Sequence, residues 1–326
     1  MKALMYNGIG QMDIENVPEP QGELIVKVLG CGICGTDLKT FLKGHHFFKP
    51  PTILGHEFYG TVAKAPEGHD FKVGDTVVVA PYYECGECDH CRRGVPQLCK
   101  HKKYVDGAFC EYVSVPVDYP KGIYRIPVER IGAENADVFT LVEPLACVLN
   151  GTEHLDVHEN SRVLVVGGGP MGILFALFYQ QQQVPVTVVE PNEDRRSKLQ
   201  SWGIPCVRPE DADTSSYDNI VVAVNKADLV ADYVKRVSDG GTVLVFSGLK
   251  KEDAIITDSY SIHYREVTMT GSCGFASAHF RKAYEMISAA PQHYRRLITH
   301  RFPLERGLEA FELLQKGGAF KVVLEP

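Results

Sequence analysis

The sequence lacks the features that mark membrane, secreted and nucleic-acid-binding proteins. Glycines break its longest apolar candidate, residues 163–179, so no run reaches the roughly 20 residues that a membrane helix needs. The N-terminus has no apolar core of a signal peptide. Lys and Arg number 34 against 41 Asp and Glu, so the basic excess of a nucleic-acid-binding face is missing. We therefore expect a cytoplasmic protein with no membrane or nucleic-acid partner.

The remaining composition is that of an ordinary folded chain with an unusual number of cysteines. Hydrophobic residues make up 44% and charged residues 23%, which excludes disorder. The length of 326 residues suits about two domains. The ten cysteines are conspicuous, because disulfides are rare in a reducing compartment. Clustered cysteines in such a compartment indicate a bound metal.

Two hydrophobic patterns divide the chain. Short strands punctuated by Pro and Gly, such as residues 24–28, occupy the first part. From Arg162 onward, continuous apolar strands alternate with helical patterns, including a predicted helix over residues 171–182. Strands without alternation indicate a parallel sheet covered on both faces. The predicted fold class is therefore α/β, with a doubly wound parallel-sheet domain and a β-rich region. Residues 304–314 are predicted to form a later helix.

Four cysteines lie within fifteen residues, in the spacing C-x2-C-x2-C-x7-C. Four thiolates suit tetrahedral zinc, and a four-cysteine set is a closed, structural site. An iron–sulfur cluster fits less well, because its bacterial run ends C-x3-C-P and no Pro follows here. The four residues are Cys85, Cys88, Cys91 and Cys99. Five others are expected to be small buried hydrophobes, namely Cys31, Cys110, Cys147, Cys206 and Cys273.

A glycine-rich turn predicts a dinucleotide site. Gly167, Gly169 and Gly172 form G-x-G-x-x-G directly after an apolar strand, and Pro170 and Met171 lead into the next helix. Glycines permit the tight turn and let the backbone approach a pyrophosphate at the helix N-terminus. The turn is therefore the expected coenzyme-binding segment.

Glu190 ends the next strand, eighteen residues after Gly172. A carboxylate in that place accepts hydrogen bonds from ribose hydroxyls and repels a 2′-phosphate, so NAD is preferred over NADP. Arg195 and Arg196 leave NADP open, because either can reach a phosphate. The usual place for such charges is a solvated helix face. Arg195 is retained as a cofactor-binding candidate.

A second set of metal-ligating residue types is dispersed along the chain. It consists of Cys34, His56, Glu57 and Glu143. A thiolate, an imidazole and carboxylates are donors that zinc accepts, and three protein ligands with an open position make a site catalytic. Spacing alone leaves this set weak, because a lone Cys or His more often belongs to the core.

The motifs around these residues resemble zinc-dependent medium-chain dehydrogenases of the alcohol dehydrogenase superfamily, in the sorbitol and threonine dehydrogenase branch. The matching segments run nearly end to end. Besides the four-cysteine lobe and the glycine-rich turn, they are residues 31–37, 55–57, 74–77, 106–109, 143–146, 240–243 and 298–304. The resemblance implies a GroES-like catalytic domain, residues 1–147 and 274–326 with the structural zinc lobe at 82–100. It implies a Rossmann NAD-binding domain at residues 148–273.

The resemblance also implies roles at the dispersed site. Cys34 and His56 would bind a catalytic zinc, and either Glu57 or Glu143 would complete the ligands. With the four-cysteine lobe, this amounts to two zinc ions per chain. Val224 is implied to extend the coenzyme site beyond the glycine-rich turn. Ser247, beyond the following strand, is a further candidate for that site.

A proton relay is implied beside the metal. Thr36 would take the proton of a substrate hydroxyl, and zinc would lower the pKa of that hydroxyl. Many relatives carry His where this chain has Lys39. Lys39 is the first candidate for the outer relay, and His45, His46 or water are alternatives.

The implied reaction is hydride transfer from a secondary alcohol to NAD⁺, forming a ketone. The alcohol would belong to a polyol, cyclitol, sugar or sugar phosphate. Alternatives are a threonine or simple secondary-alcohol dehydrogenase, a zinc-free quinone or enoyl reductase on the same fold, and a zinc-bound dinucleotide sensor without turnover. The resemblance further implies a homodimer or homotetramer, with residues 268–272 as a seam.

Overall fold

A computed structural model describes residues 1–119 and 121–326 of the protein, and it divides into two compact units. The first unit consists of Met1–Ala146 and Ala276–Pro326, and the second of Cys147–Phe275. No helix in the described ranges is long and apolar enough to cross a membrane.

The strands are numbered in chain order, with β11 to β16 in the second unit and the others in the first. They are β1 (Lys2–Gly8), β2 (Gln11–Asn16), β3 (Leu24–Gly32), β4 (Thr52–Ile53), β5 (Glu57–Lys64), β6 (Thr76–Val79), β7 (Tyr82–Tyr83), β8 (Lys103–Tyr104), β9 (Tyr112–Val115), β10 (Ile123–Arg125), β11 (Val163–Val166), β12 (Val186–Val189), β13 (Cys206–Val207), β14 (Asn219–Val222), β15 (Thr242–Val245), β16 (Thr268–Gly271), β17 (Ile298–Pro303) and β18 (Lys321–Glu325).

The helices follow the same convention. They are α1 (Gly35–Lys43), α2 (Asp89–Arg92), α3 (Val128–Ile131), α4 (Val142–Thr152), α5 (Pro170–Gln181), α6 (Glu193–Ser201), α7 (Ala227–Arg236), α8 (Ser259–His263), α9 (Ser277–Ala289), α10 (Pro291–Arg295) and α11 (Gly307–Gln315). Short 3-10 segments cover Pro96–Leu98, Ala133–Leu141, Pro209–Asp211, Thr214–Ser216 and Leu304–Arg306.

The first unit is built on a seven-stranded sheet. Its order is β10-β6-β5-β3-β18-β17, and β9 also pairs with β3. Along residues 24–29 of β3, buried and more exposed positions alternate, as in a sheet with one face in the core, and the last three residues of the strand are all buried. Glu57 of β5 lies opposite Gly32 at the end of β3, and Val323 of β18 pairs with the same glycine. The ends of these three strands therefore meet.

The second unit is a six-stranded parallel sheet in the order β13-β12-β11-β14-β15-β16. This is the 3-2-1-4-5-6 order of a doubly wound nucleotide-binding sheet, and β11 and β14 flank the point where the order reverses. Both strands are buried along their whole length, which explains their continuous apolar sequence. The predicted α/β class with a doubly wound sheet is confirmed.

Some details differ from the sequence-based expectations. The helix predicted over residues 171–182 forms at Pro170–Gln181, but the one predicted from residue 304 begins at Gly307. A 3-10 turn occupies Leu304–Arg306 directly after Pro303. The prediction that Cys273 is buried is wrong: this residue is exposed, just beyond the edge strand β16. Cys147 is half-buried.

Candidate metal centres and coenzyme site

Cys34 lies at the start of α1, where the chain leaves β3. It is the N-cap of the helix, and its Sγ accepts a hydrogen bond from the backbone N–H of Thr36 at 3.4 Å. Asp37 completes the capping box, because its carboxylate accepts from the backbone N–H of Cys34 at 2.9 Å. This reciprocal capping fixes the direction of the Cys34 side chain.

Asp37 also orients His56. The Asp37 carboxylate is fully buried, accepts from the N–H of Gly55 at 3.3 Å and lies 3.4 Å from His56 Nδ1. The other ring nitrogen, Nε2, is left for a metal, as in carboxylate–histidine–zinc arrangements. Burial opposes protonation of His56, but Asp37 and the Cys34 thiolate outweigh it and raise its pKa well above the usual range. The ring is thus held in an anionic pocket that suits a cation.

Glu57 begins β5 with its side chain in the core, 1% exposed. A Cβ atom on Gly32 would come within 2.3 Å of Glu57 Oε2, so the glycine makes room for the carboxylate. Lys321, the first residue of β18, donates to both carboxylate oxygens of Glu57, at 2.8 and 2.6 Å. It also donates to the carbonyl of Ile33 at 3.3 Å. The carboxylate therefore has a dedicated cationic partner.

Sequence reasoning missed Lys321. Burial alone would lower its pKa, but the neighbouring Glu57, Cys34 and Glu143 raise it, so the lysine stays cationic while 2% exposed. The available signal was one charge inside the apolar run of residues 319–324. An isolated lysine at a buried strand position requires an anionic partner.

Three of the four dispersed candidates come together. One ligand atom each from Cys34, His56 and Glu57 lie within 4.8 Å of one another. Zinc binds such donors at about 2.0–2.3 Å, so the three can reach one ion and leave a position open. Glu143, on α4 and 8% exposed, is outside this group among the described residues, but it contributes to the pKa of Lys321. The donor set fits zinc.

The four-cysteine lobe forms a second group, with all four Sγ atoms within 4.8 Å of one another. Cys88 Sγ is 3.6 Å from that of Cys91 and 3.7 Å from that of Cys99, and the Cys99 and Cys85 sulfurs are 3.5 Å apart. A zinc–thiolate tetrahedron with bonds of about 2.3 Å has sulfur–sulfur edges of about 3.8 Å, whereas a disulfide measures about 2.05 Å. The backbone N–H of Cys91 lowers the pKa of Cys88 to about 6, which favours its thiolate form. This geometry also fits zinc.

The glycine-rich turn follows β11 and opens α5. Gly167 has a φ of +109°, which favours glycine, and a Cβ on Gly172 would lie 1.9 Å from the Gly167 carbonyl oxygen. Gly169 is the N-cap of α5, and a Cβ there would meet no atom within 4 Å. Val224 lies beside the turn, since its Cγ1 would be 2.6 Å from a Cβ on Gly167. The turn therefore has open space at the helix N-terminus for a phosphate.

Glu190 reaches the same turn from the end of β12. Its Oε2 accepts from the N–H of Gly168 at 2.9 Å, and its Oε1 accepts from the N–H of Asn192 at 2.8 Å. Each carboxylate oxygen keeps a lone pair for a ribose hydroxyl. Ser247 follows β15, which lies beyond β14 in the sheet, and its N–H donates to the carbonyl of Val222 at 3.3 Å.

The two arginines of α6 behave differently. The expectation that Arg196 lies on a solvated helix face is wrong, because its side chain is buried. Its NH1 group donates to the backbone carbonyls of Glu190 and Pro191 at 2.9 and 2.6 Å. Its guanidinium stabilises the end of β12. Arg195 is half-buried in the first turn of α6, where its backbone N–H is capped by Asn192.

The relay candidates gather around α1. Thr36 and Lys39 are both half-buried on this helix, three residues apart and so on one face. His45 follows the helix, with its Nδ1 accepting from the N–H of Phe47 at 3.2 Å and its ring stacked on His46 at 4.5 Å. Partial burial, His46 and Lys39 lower the pKa of His45, which therefore remains neutral at pH 7.

Two protein-family models match successive parts of the chain, and curated proteins are similar over most of its length. Residues 20–127 match the family model of the alcohol dehydrogenase GroES-like domain, and residues 136–325 match that of the glucose dehydrogenase C-terminus. D-altritol 5-dehydrogenase from Agrobacterium fabrum is 30% identical over 328 residues, covering 95% of each chain. L-threonine 3-dehydrogenase from Pyrococcus horikoshii is 30% identical over 334 residues, covering 94% of this chain and 92% of that protein.

A solved structure of a similar protein has the same fold. A protein from Sinorhizobium meliloti 1021, described as a zinc-binding dehydrogenase and bound to NADP, superposes with a TM-score of 0.86 at 27% identity. The match covers 100% of this chain and 99% of that one. The chain therefore belongs to the zinc-type medium-chain dehydrogenases of the alcohol dehydrogenase superfamily, which are NAD(P)-dependent oxidoreductases.

Proposed function

We propose that the protein oxidises a secondary hydroxyl group of a polyol or related sugar derivative to a ketone, with NAD⁺ as the hydride acceptor. The observation that carries this proposal is the convergence of Cys34, His56 and Glu57 on one point. Three protein donors define an open metal site. A zinc ion held there would supply Lewis acidity toward the substrate hydroxyl. The polyol class is supported by the likeness to D-altritol 5-dehydrogenase.

The surrounding residues have separate tasks in this proposal. Asp37 holds His56 in one tautomer and orientation through the 3.4 Å contact to Nδ1. Thr36 takes the proton of the substrate hydroxyl, and Lys39 passes it outward. Partial burial, His46 and Lys39 lower the pKa of His45, so this residue offers a neutral imidazole for the same path. A positioned relay of this kind contributes about 10²–10⁴-fold in rate.

We propose two zinc ions per chain with different purposes. The four-cysteine lobe offers sulfurs at 3.5–3.7 Å and fills every position of a tetrahedron, so its ion would stabilise the fold. The Cys34 group contains no fourth donor among the described residues, so a substrate would have access to its ion. Glu143, which acts electrostatically on Lys321, is the remaining candidate ligand or water holder.

NAD is proposed as the preferred coenzyme. Glu190 places a buried carboxylate beside the glycine-rich turn, where it would repel a 2′-phosphate. Arg196, one of the two residues that could offset this repulsion, is engaged by backbone carbonyls. Arg195 remains the residue through which NADP, found in the Sinorhizobium meliloti relative, would bind.

We assign the coenzyme to a Rossmann domain at residues 148–273 and the metal chemistry to a GroES-like domain at residues 1–147 and 274–326. The division into Cys147–Phe275 and the rest of the chain supports this assignment. Limited proteolysis of the coenzyme-bound protein tests it, since protection by NAD should concentrate in the first of these domains.

A homodimer or homotetramer is proposed through β16. This strand ends its sheet and pairs with β15 alone among the described residues, so its other edge can accept a strand from a second copy. Exposed apolar side chains cluster in sequence around it, and they include Ile256, Tyr260, Tyr264 and Met269. Light scattering of wild type and Met269→Lys tests the seam.

A reducing, cytoplasmic setting is proposed because all ten cysteines are free. Thiolate zinc ligands are lost when they oxidise. Cell fractionation of the native protein, with zinc content measured in each fraction, checks this assignment.

The substrate is tested with a panel of polyols, cyclitols, sugar phosphates and L-threonine, offered with NAD⁺ or NADP⁺ while reduced nicotinamide is followed. Turnover of D-altritol or a related polyol with NAD⁺ is the expected result. L-Threonine is the second candidate, because a threonine dehydrogenase is equally similar in sequence. Zinc and coenzyme binding without turnover of any alcohol would contradict the enzyme proposal and favour a sensor.

A further inference from the structure

Lys321 is a buried cation with no place in the reaction as described so far. Its side chain is 3% exposed and donates to both oxygens of Glu57 and to the carbonyl of Ile33. Cys34 and Glu143 also act on it electrostatically. All three anionic candidate ligands of the open metal site thus influence this one ammonium group.

The placement of Lys321 is determined by strand register. β18 pairs with β3 through Val323 and Gly32, and Gly32 lies opposite Glu57 on the other side. Lys321 therefore approaches Glu57 across the end of β3. The absence of a side chain at Gly32 leaves the space that the carboxylate occupies between them. A buried lysine is tolerated only with such a partner, because an unpaired buried charge is strongly unfavourable.

Lys321 and a metal ion compete for the same carboxylate. An ionised carboxylate has about four lone-pair directions, and the ammonium group takes one on each oxygen, at 2.8 and 2.6 Å. Where a carboxylate contacts a zinc-bound histidine, it raises the basicity of that ligand. An ammonium group on a ligand carboxylate acts in the opposite sense, since it withdraws electron density and adds positive charge near the ion.

We propose that Lys321 is a positioning residue that weakens the bond between Glu57 and the catalytic zinc and so keeps one coordination position exchangeable. The inference rests on the proposed catalytic zinc. One divalent ion together with the Cys34, Glu57 and Glu143 anions would form a cluster with a net negative charge, which would reduce the Lewis acidity of the ion, and the Lys321 ammonium group would neutralise that charge. Without Lys321, this ammonium group would no longer compete for the Glu57 carboxylate, which would then bind a zinc ion more tightly.

The test is the rate of zinc loss from the purified holoenzyme to an excess of a chromogenic chelator. We expect Lys321→Met to slow the loss of the catalytic zinc about 10- to 100-fold, the range typical of changes around metal ligands. The four-cysteine zinc, measured in the same trace, should leave at an unchanged rate. Lys316→Met, which removes an exposed lysine from the same segment, is the matched control. Unchanged or faster loss of the catalytic zinc from Lys321→Met overturns the proposal.

A spectroscopic readout separates this role from packing. Co²⁺ placed in the catalytic site should show altered d–d absorption in Lys321→Met, because its ligand field changes. In a Glu57→Gln background, the lysine substitution should alter zinc loss by less than about threefold, since no carboxylate remains to be released. An equal change in both backgrounds would show that Lys321 does not act through Glu57.

A second variant and a zinc count distinguish failure of this inference from failure of the proposed function. If Lys321→Met does not fold, Lys321→Gln keeps an N–H donor without the charge and should still slow zinc loss relative to wild type. Faster loss from Lys321→Gln would count against the proposal. Wild-type protein that retains only the four-cysteine zinc would contradict the proposed function itself. Two bound zinc ions with no effect of Lys321 would contradict this inference alone.

Discussion

The two candidate metal centres use similar donors but are built in opposite ways. The four-cysteine lobe draws its sulfurs from fifteen consecutive residues and holds them 3.5–3.7 Å apart. The Cys34 centre draws donors from the starts of α1 and β5 and surrounds them with Asp37 and Lys321. A closed site needs only the right ligands, whereas an open one also needs buried charges that orient those ligands and limit their hold on the metal.

This contrast predicts opposite responses to losing one cysteine, and the largest effect is on activity. Cys34→Ala should remove one zinc per chain and lower kcat/KM at least about 10³-fold, because Lewis-acid stabilisation is worth several kcal/mol. Metal analysis and initial rates check this, with the exposed Cys273→Ala as the control. Loss of activity accompanied by a large drop in Tm would show that the Cys34 centre is structural after all.

Cys99→Ser should do the reverse and act mainly on the fold. Three thiolates hold zinc poorly, and the free energy of zinc binding is also free energy of folding for the lobe. We expect one zinc to be lost and Tm to fall on the order of 10 °C. Calorimetry with parallel zinc determination measures both. Metal content and Tm equal to those of wild type would contradict a structural role for the four-cysteine zinc.

Asp37→Asn tests whether the open site alone depends on an orienting carboxylate. In the part of the chain that the structure describes, the contacts given for the four lobe sulfurs include no such carboxylate. The amide no longer holds His56 by charge, so zinc affinity at the open site should fall about 10- to 100-fold. Competition with a chelator provides the measurement, and the four-cysteine zinc serves as the internal reference. Equal weakening of both sites would indicate a general loss of structure.

The smallest predicted effect is on coenzyme preference. Like the open metal site, the glycine-rich turn combines a local motif with a carboxylate from another strand, that of Glu190. Glu190→Ala should improve the NADP-to-NAD ratio of kcat/KM about tenfold, or ~1.4 kcal/mol, because it removes repulsion of a 2′-phosphate. Glu190→Gln is the matched variant, since it removes the charge but keeps one amide oxygen that can accept from Gly168 or Asn192. A wild-type preference for NADP would contradict the argument.

Sequence reasoning succeeded where a feature is encoded locally. The cysteine spacing, the glycine-rich turn and the continuous apolar strands each depend on neighbouring residues, and each appears as expected. Resemblance supplied the grouping of Cys34, His56 and Glu57, which spacing alone left weak.

What sequence reasoning missed depends on tertiary structure. Lys321 could not be paired with Glu57, because their contact results from the register of strands that lie far apart in the chain. Arg196 was misjudged because its helix turns this residue toward the backbone carbonyls at the end of β12. Cys273 was misjudged because nothing local shows that the strand before it forms a sheet edge.

The position of β18 has a consequence for how the chain folds as it is made. This strand lies between β3 and β17 inside the seven-stranded sheet, yet Lys321 contacts a residue 288 positions earlier. A ribosome that has not yet reached residue 321 carries a second unit with all its strands and a first unit in which Cys31 and Gly32, at the end of β3, lack their β18 partners. During synthesis Glu57 therefore lacks its cationic partner Lys321 until β18 has emerged from the ribosome. We expect the nascent first unit to depend on chaperones during that interval.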